Sequence, residues 1–243
     1  MNLKQIIWLS LCAFLPLTAV SQNEIPTVSP TASYTDADGT LQEVTSISDG
    51  EAPLEVTFRA NPKNMGNHTP AYEWHFRKQN DQEHQGDLFV RYEEETTYRF
   101  VESGTFDVSL VCRLTDTGDL VDSTTIVVVI SESRLEFPNA FSPNDDNIND
   151  VYGAKGVANP NSTEHWKSIV DFHAYIFNRW GQKLYEWHDV AGSWDGTYNG
   201  KPVKEGVYFV LVKAKGADGR EYNIRKDVNL LRGYTEGRST NND

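Results

Sequence analysis

Short runs of alternating apolar and polar residues recur along most of this chain, split by Gly, Asn, Asp and Pro. A period of two puts every second side chain on one face, the pattern of a half-buried β-strand. It predicts strands over Leu54–Arg59, Tyr72–Phe76, Leu88–Tyr92, Thr96–Phe100, Gly104–Leu114 and Val121–Ile130. Further on it predicts Phe172–Phe177, Gln182–Trp187, Val207–Val212 and Tyr222–Leu231. Past residue 21 no long run carries apolar residues at helical spacing. The expected fold class is therefore all-β, with two β-sandwiches in tandem. The first is expected over residues 24–132 and the second over 135–232, with a break at Ser131-Glu132-Ser133 and a polar tail over 233–243.

The opening segment has a different character. Lys4 is its only charge, an apolar run extends from Ile6 to Leu17, and Ala19-Val20-Ser21 offers small residues before a cut after Ser21. This is the layout of a cleaved signal peptide over residues 1–21. The apolar run is well short of the roughly 20 residues that span a bilayer. No later run is long enough either, so no transmembrane span of the chain's own is expected.

Composition narrows the function. The chain has 243 residues, 22 basic and 35 acidic side chains, and a net charge of −13. Residues 22–135 hold 8 basic and 20 acidic side chains, whereas 136–243 hold 13 and 15. Acidity concentrated in the first domain argues against nucleic acid, which needs clustered Lys and Arg. Two cysteines cannot build a disulfide framework. One lies in the signal segment, and Cys112 shares a strand face with Val108 and Leu110, as a buried core thiol would.

In the first domain, Ala52-Pro53-Leu54-Glu55-Val56-Thr57-Phe58 is followed by Tyr72-Glu73-Trp74-His75-Phe76, by Thr97-Tyr98, and by Glu102-Ser103-Gly104-Thr105-Phe106-Asp107-Val108. Together these resemble a polycystic-kidney-disease (PKD) type module. The resemblance implies an Ig-like sandwich with Trp74 between its sheets. It also implies a spacer or a binder of protein or polysaccharide, with no catalytic group. Where that family has a Gly-Asp-Gly turn, this chain has Arg77-Lys78-Gln79-Asn80 and a polar insertion to Gly86.

Three blocks mark the second domain. The first is Phe137-Pro138-Asn139-Ala140-Phe141-Ser142-Pro143, continuing to Val151. The second is Ile176-Phe177-Asn178-Arg179-Trp180-Gly181, and the third runs from Trp194-Asp195-Gly196 into Glu205-Gly206-Val207-Tyr208. Their first reading is architectural. Asn178–Gly181 is a tight connection between two strands, Asp195-Gly196 and Asn199-Gly200 are turn dipeptides, and Ala217-Asp218-Gly219 turns the chain into its last strand.

The three blocks in this order resemble the gliding-motility-associated C-terminal domain of Bacteroidetes, the type B sorting signal of the type IX secretion system. That resemblance implies export by the N-terminal signal, then passage of the outer membrane directed by this domain. The implied partners are the type IX translocon and outer-membrane components. The implied destination is the cell surface, the outer membrane or the medium, reached through the periplasm.

Two candidate chemistries remain. Asn144-Asp145-Asp146-Asn147-Ile148-Asn149-Asp150 places six oxygen-bearing side chains in seven residues. Asp145, Asp146, Asn147, Asn149 and Asp150 are candidate calcium ligands, against the alternative of a solvated loop of Asx turns. No metalloprotease helix, nucleophile elbow, phosphate loop or paired-cysteine metal spacing occurs, so no enzyme is expected. His68, His75 and His84 share a region without metal-ligand spacing. The expectation is a non-enzymatic surface or secreted protein. An accessory component of the secretion or envelope machinery, and an adhesin or glycan- or protein-binding module, stand as alternatives.

Overall fold

A computed structural model describes residues 25–36, 39–83, 85–157 and 165–233. The expected signal segment, His84 and residues 234–243 of the tail lie outside these. The described residues contain β-strands and no helix, so the all-β expectation holds.

The first unit comprises β1 (Thr31–Thr35), β2 (Leu41–Val44), β3 (Ile47–Gly50), β4 (Leu54–Arg59), β5 (Pro70–Lys78), β6 (Phe89–Arg91), β7 (Glu95–Phe100), β8 (Gly104–Leu114) and β9 (Leu120–Ile130). They form two sheets, ordered β2-β1-β4-β7 and β3-β9-β8-β5-β6. Alternation decides what lies between the sheets. Val56 and Phe58 on β4, Trp74 and Phe76 on β5, and Val108, Leu110 and Cys112 on β8 all point inward and are buried. Phe58 meets the Trp74 ring at 5.9 Å and the Phe76 edge at 5.5 Å. The indole N–H of Trp74 would be stranded there, and it donates to the Glu93 carbonyl at 2.9 Å. Burial pushes the Cys112 thiol above its ordinary pKa, and the nearby charge of Asp122 adds to this.

The strands β1, β2 and β3 were not expected. They pass through a stretch of Thr, Ser, Asp and Gly in which Leu41 is exposed, so no apolar alternation announces them. Pairing selects them: β1 lies between β2 and β4, and β3 runs parallel to β9.

The second unit comprises β10 (Ala140–Phe141), β11 (Tyr152–Gly153), β12 (Ile169–Phe177), β13 (Lys183–Trp187), β14 (Ser193–Trp194), β15 (Thr197–Tyr198), β16 (Lys201–Pro202), β17 (Gly206–Gly216) and β18 (Glu221–Leu230). Its five-stranded sheet runs β10-β18-β17-β12-β13. The opposing layer is slighter, with the two-stranded ribbon β11-β14 and irregular chain over the same core. Large aromatics compensate for its thinness. Phe137, Phe141, Tyr152, Phe172, Trp187, Trp194 and Tyr208 are all buried there.

Register fixes the polarity of this unit. Ile169 pairs with Gly216 at one end of the β12–β17 pair, and Phe177 pairs with Phe209 at the other. The first end abuts the first domain, where Ala217 is buried among that domain's core residues. The second end, away from that contact among the described residues, is the free pole.

Candidate functional site

The residues of the three blocks separate into two groups. The first group builds the core and its cover. Phe137 packs against Tyr152 and Phe172. Phe141 meets Trp194 at 5.4 Å, and Trp194 meets the Tyr208 ring at 5.4 Å. The polar ends of these rings are all answered: Trp194 Nε1–H donates to Thr197 O at 2.8 Å, Tyr208 O–H to Lys204 O at 2.6 Å, and Tyr152 O–H to Pro138 O at 3.2 Å.

Backbone carbonyls of the same blocks carry the closure. Asn139 O accepts the amide of Asn229 at 2.9 Å, drawing the first block along β18. Pro143 O, Gly196 O and Val203 O all accept from the Arg232 guanidinium at 3.0–3.2 Å. Asp195 Oδ1 accepts both the amide and the hydroxyl of Thr197, which holds Gly196 at φ 77°. Gly206 opens β17 at φ 140°, a backbone conformation that only glycine takes without strain.

The second group is the turn Asn178–Gly181 at the free pole. Asn178 Oδ1 accepts the amides of Trp180 at 3.0 Å and Gln182 at 3.1 Å, and Asn178 Nδ2 donates to Gln182 Oε1 at 3.0 Å. Gly181 closes the turn at φ 78°. Gln182 in turn donates to the Tyr198 hydroxyl at 3.1 Å. The turn is thus held by its own hydrogen bonds, and it presents an aromatic ring beside a guanidinium. Trp180 is 79% exposed, and the Arg179 guanidinium lies over its ring at 4.8 Å.

Beside this turn runs a groove of about 550 Å³, between the hairpin and the segment Val203–Phe209. Val207 and Phe209 on its wall are both exposed, as is Leu231 near the end of the sheet. An exposed Trp beside exposed aliphatic and aromatic side chains makes an apolar patch on this surface. Arg179 and Lys204 add positive charge to the groove, whereas the Glu205 carboxylate accepts the amide of Gly233 at 3.0 Å.

The sequence pattern did not separate Val207 and Phe209 from their neighbours. Val207–Val212 is continuously apolar, so periodicity gives no face to choose. The signal that was available is the run itself: on a sheet with one covered face, half of it must stand outside.

The Asn144–Asp150 loop is organised by its own amides. Asp150 Oδ1 accepts the N–H groups of Asn144 at 2.9 Å and Asp145 at 2.8 Å, and Oδ2 accepts that of Asn147 at 2.7 Å. Asp146 accepts from the Ile148 amide and the Asn144 side chain. Asp145, Asn147 and Asn149 take positive φ, as Asx-rich turns allow. Desolvation pushes the Asp150 carboxyl up, but the amides of Asn144, Asn147, Asp145 and Asp146 outweigh it and hold it below its ordinary 3.8. Among the described residues no group of three or more His, Cys, Asp or Glu is placed to hold a metal ion. His68 and His75 each face separate carboxylates, Asp116 and Asp87, both at 2.6 Å. No helix of the described residues is long and apolar enough to cross a membrane.

No curated protein matches the chain. Among solved structures it is similar to the extracellular domain of a hybrid two-component system protein from B. thetaiotaomicron, with 19% identity over 48% of this chain and 17% of that one, at a TM-score of 0.32. It is also similar to the Bacteroides ovatus SGBP-B of a mixed-linkage glucan utilization locus, solved in complex with a mixed-linkage heptasaccharide. There the identity is 15% over 86% of this chain and 48% of that one, with a TM-score of 0.28. The chain spans less than half the length of either solved chain. Residues 135–226, the unit that carries the Trp180 turn, match the family model described as the CHU_C Type IX secretion signal domain, which implies export from the cytoplasm to the cell surface or beyond.

Proposed function

We propose that this is a non-enzymatic surface or secreted protein whose second domain is its type IX sorting signal. The observation that carries the reading is the family match over 135–226. Within that domain, the free pole with Arg179 and Trp180 is the part the outer-membrane export apparatus reads. The aromatic core and the Arg232 closure hold that pole in place. The first domain, with its PKD-like strand pattern, is a spacer or binding module carried outward with the signal.

The test is made in a producing cell. The double variant Arg179→Ala, Trp180→Ala is compared with the wild type by fractionating periplasm, outer membrane and medium. The expected result is folded variant retained in the periplasm while wild-type protein reaches the surface. Unchanged surface delivery would remove the pole from the reading. Unchanged delivery after deletion of residues 135–233 would remove the sorting role altogether.

A further inference from the structure

The two domains meet through a junction whose chain is hydrogen-bonded at Ser131, Ser133 and Arg134. The connecting segment, residues 131–135, is bound on both sides. Toward the first domain, the Ser131 amide donates to Gly50 O at 2.9 Å, and Ser131 O accepts the Ser103 hydroxyl at 2.6 Å. Toward the second, the Ser133 amide and hydroxyl donate to the two Asp218 oxygens at 3.2 and 2.7 Å. Arg134 and Lys167 exchange both amide-to-carbonyl bonds, at 3.0 and 2.9 Å. Ser133 and Leu135 are buried.

The domains also touch directly. Ser168 is fully buried, and its hydroxyl accepts the Ala52 amide at 3.2 Å. Its carbonyl accepts the Ala217 amide at 2.9 Å, and Ala217 O accepts the Ser103 amide at 3.0 Å. These bonds thread first domain, second domain and first domain again within one buried patch. At its rim the Lys167 ammonium sits 2.8 Å from Asp49 and 3.5 Å from Glu51. Packing is tight enough that a Cβ on Gly216 would lie 2.1 Å from the Ser133 Oγ.

A protease takes its substrate as a released, extended segment, so cleavage concentrates at exposed loops with few hydrogen bonds. The 131–135 segment is the opposite case. Freeing it means breaking its bonds to Gly50, Ser103, Asp218 and Lys167 and exposing Leu135. We infer that the junction is a lock: the two domains form one body, and the sorting domain stays attached to the first domain after export. The second half of this inference rests on the sorting reading above, and the first half does not.

The experiment has two arms. In the first, purified full-length exported protein is digested with subtilisin under native conditions, and the cut sites are mapped by mass. A variant with a flexible Gly-Ser insertion between Glu132 and Ser133 serves as the comparison. The expected result is cleavage between 131 and 135 about 100-fold slower in the wild type than in the insertion variant. Gly216→Ala, which displaces Ser133, falls between the two. Equal rates in wild type and insertion variant would overturn the lock. In the second arm, protein recovered from the cell surface is weighed. A form containing both domains is expected, and a surface form ending near residue 131 would overturn retention. Absence of the protein from the surface would instead count against the sorting reading, and the first arm would stand by itself.

Discussion

Arg232 closes the second domain over Gly196. Its Nη2 donates to the Gly196 carbonyl at 3.0 Å, and a Cβ on Gly196 would stand only 3.3 Å from that same nitrogen. The contact joins the chain just after its last strand to the turn that follows Trp194. Pro143 O and Val203 O complete the set of acceptors. Arg232→Ala leaves three carbonyls without a charged donor. The expected loss is about 1.5–3 kcal/mol of stability, since hydrogen bonds to charged groups are worth about that much. Arg232→Lys recovers only part of it, because a single ammonium nitrogen cannot occupy the separate positions from which Nη1 and Nη2 reach the three carbonyls. Urea unfolding followed by Trp fluorescence measures both.

The Asp150 carboxylate gives the fold an acid-side dependence. Its folded pKa lies below the ordinary 3.8, because backbone amides of the Asn144–Asp150 loop outweigh its desolvation. A group depressed in the folded state contributes stability that is fully present above its unfolded pKa and lost as pH falls through the folded one. The melting temperature should therefore drop as pH falls from about 4 downward. Asp150→Asn should flatten that slope while lowering stability at neutral pH. The carboxylates of Asp146 and Asp150 are already engaged with N–H groups of the loop, so millimolar calcium should leave the melting temperature unchanged. A calcium-dependent rise would assign a cation to the loop.

Cys112 should be inert while the first domain is folded. The thiol is fully buried between sheets, and burial raises its pKa, which disfavours the reactive thiolate. Labelling by a disulfide reagent at neutral pH should be slow in buffer and rapid in denaturant. Its rate in buffer should follow the opening of the first domain. Fast labelling in buffer would contradict the packing of β8.

How far the fold could be read in advance depended on where the information lay. Trp74 and the Val108, Leu110, Cys112 face were legible because period-two alternation is a local property, and all four are buried as that alternation requires. The Asn178–Gly181 turn was legible because its conformation follows from local side-chain chemistry and one glycine. By contrast, β1 and β3 are polar segments selected by pairing with β4 and β9, and no local pattern encodes a partner. The two-residue strands β10, β11 and β14 owe their places to the aromatic core beneath them. Ser168 shows the limit most clearly. It is a small polar residue with φ 49°, buried only because Ala52 and Ala217 meet it from either side.

The two tryptophans of the motif blocks should separate stability from recognition. Trp194 is fully buried, with its indole N–H bonded to Thr197 O and its ring between Phe141 and Tyr208. Trp194→Ala removes a large core side chain and should cost about 3–5 kcal/mol. Trp180 is 79% exposed, and among the described residues the Arg179 guanidinium lies over its ring. An exposed cation–π pair contributes about 0.5–1 kcal/mol, so Trp180→Ala should shift stability by no more than that. If the free pole is the surface that the export apparatus reads, Trp180→Ala purifies as a stable, folded protein yet fails to reach the cell surface. Parallel melting curves and cell fractionation of the two variants decide the point. A Trp180→Ala protein that melts normally and is exported normally would leave Trp180 without a role in recognition.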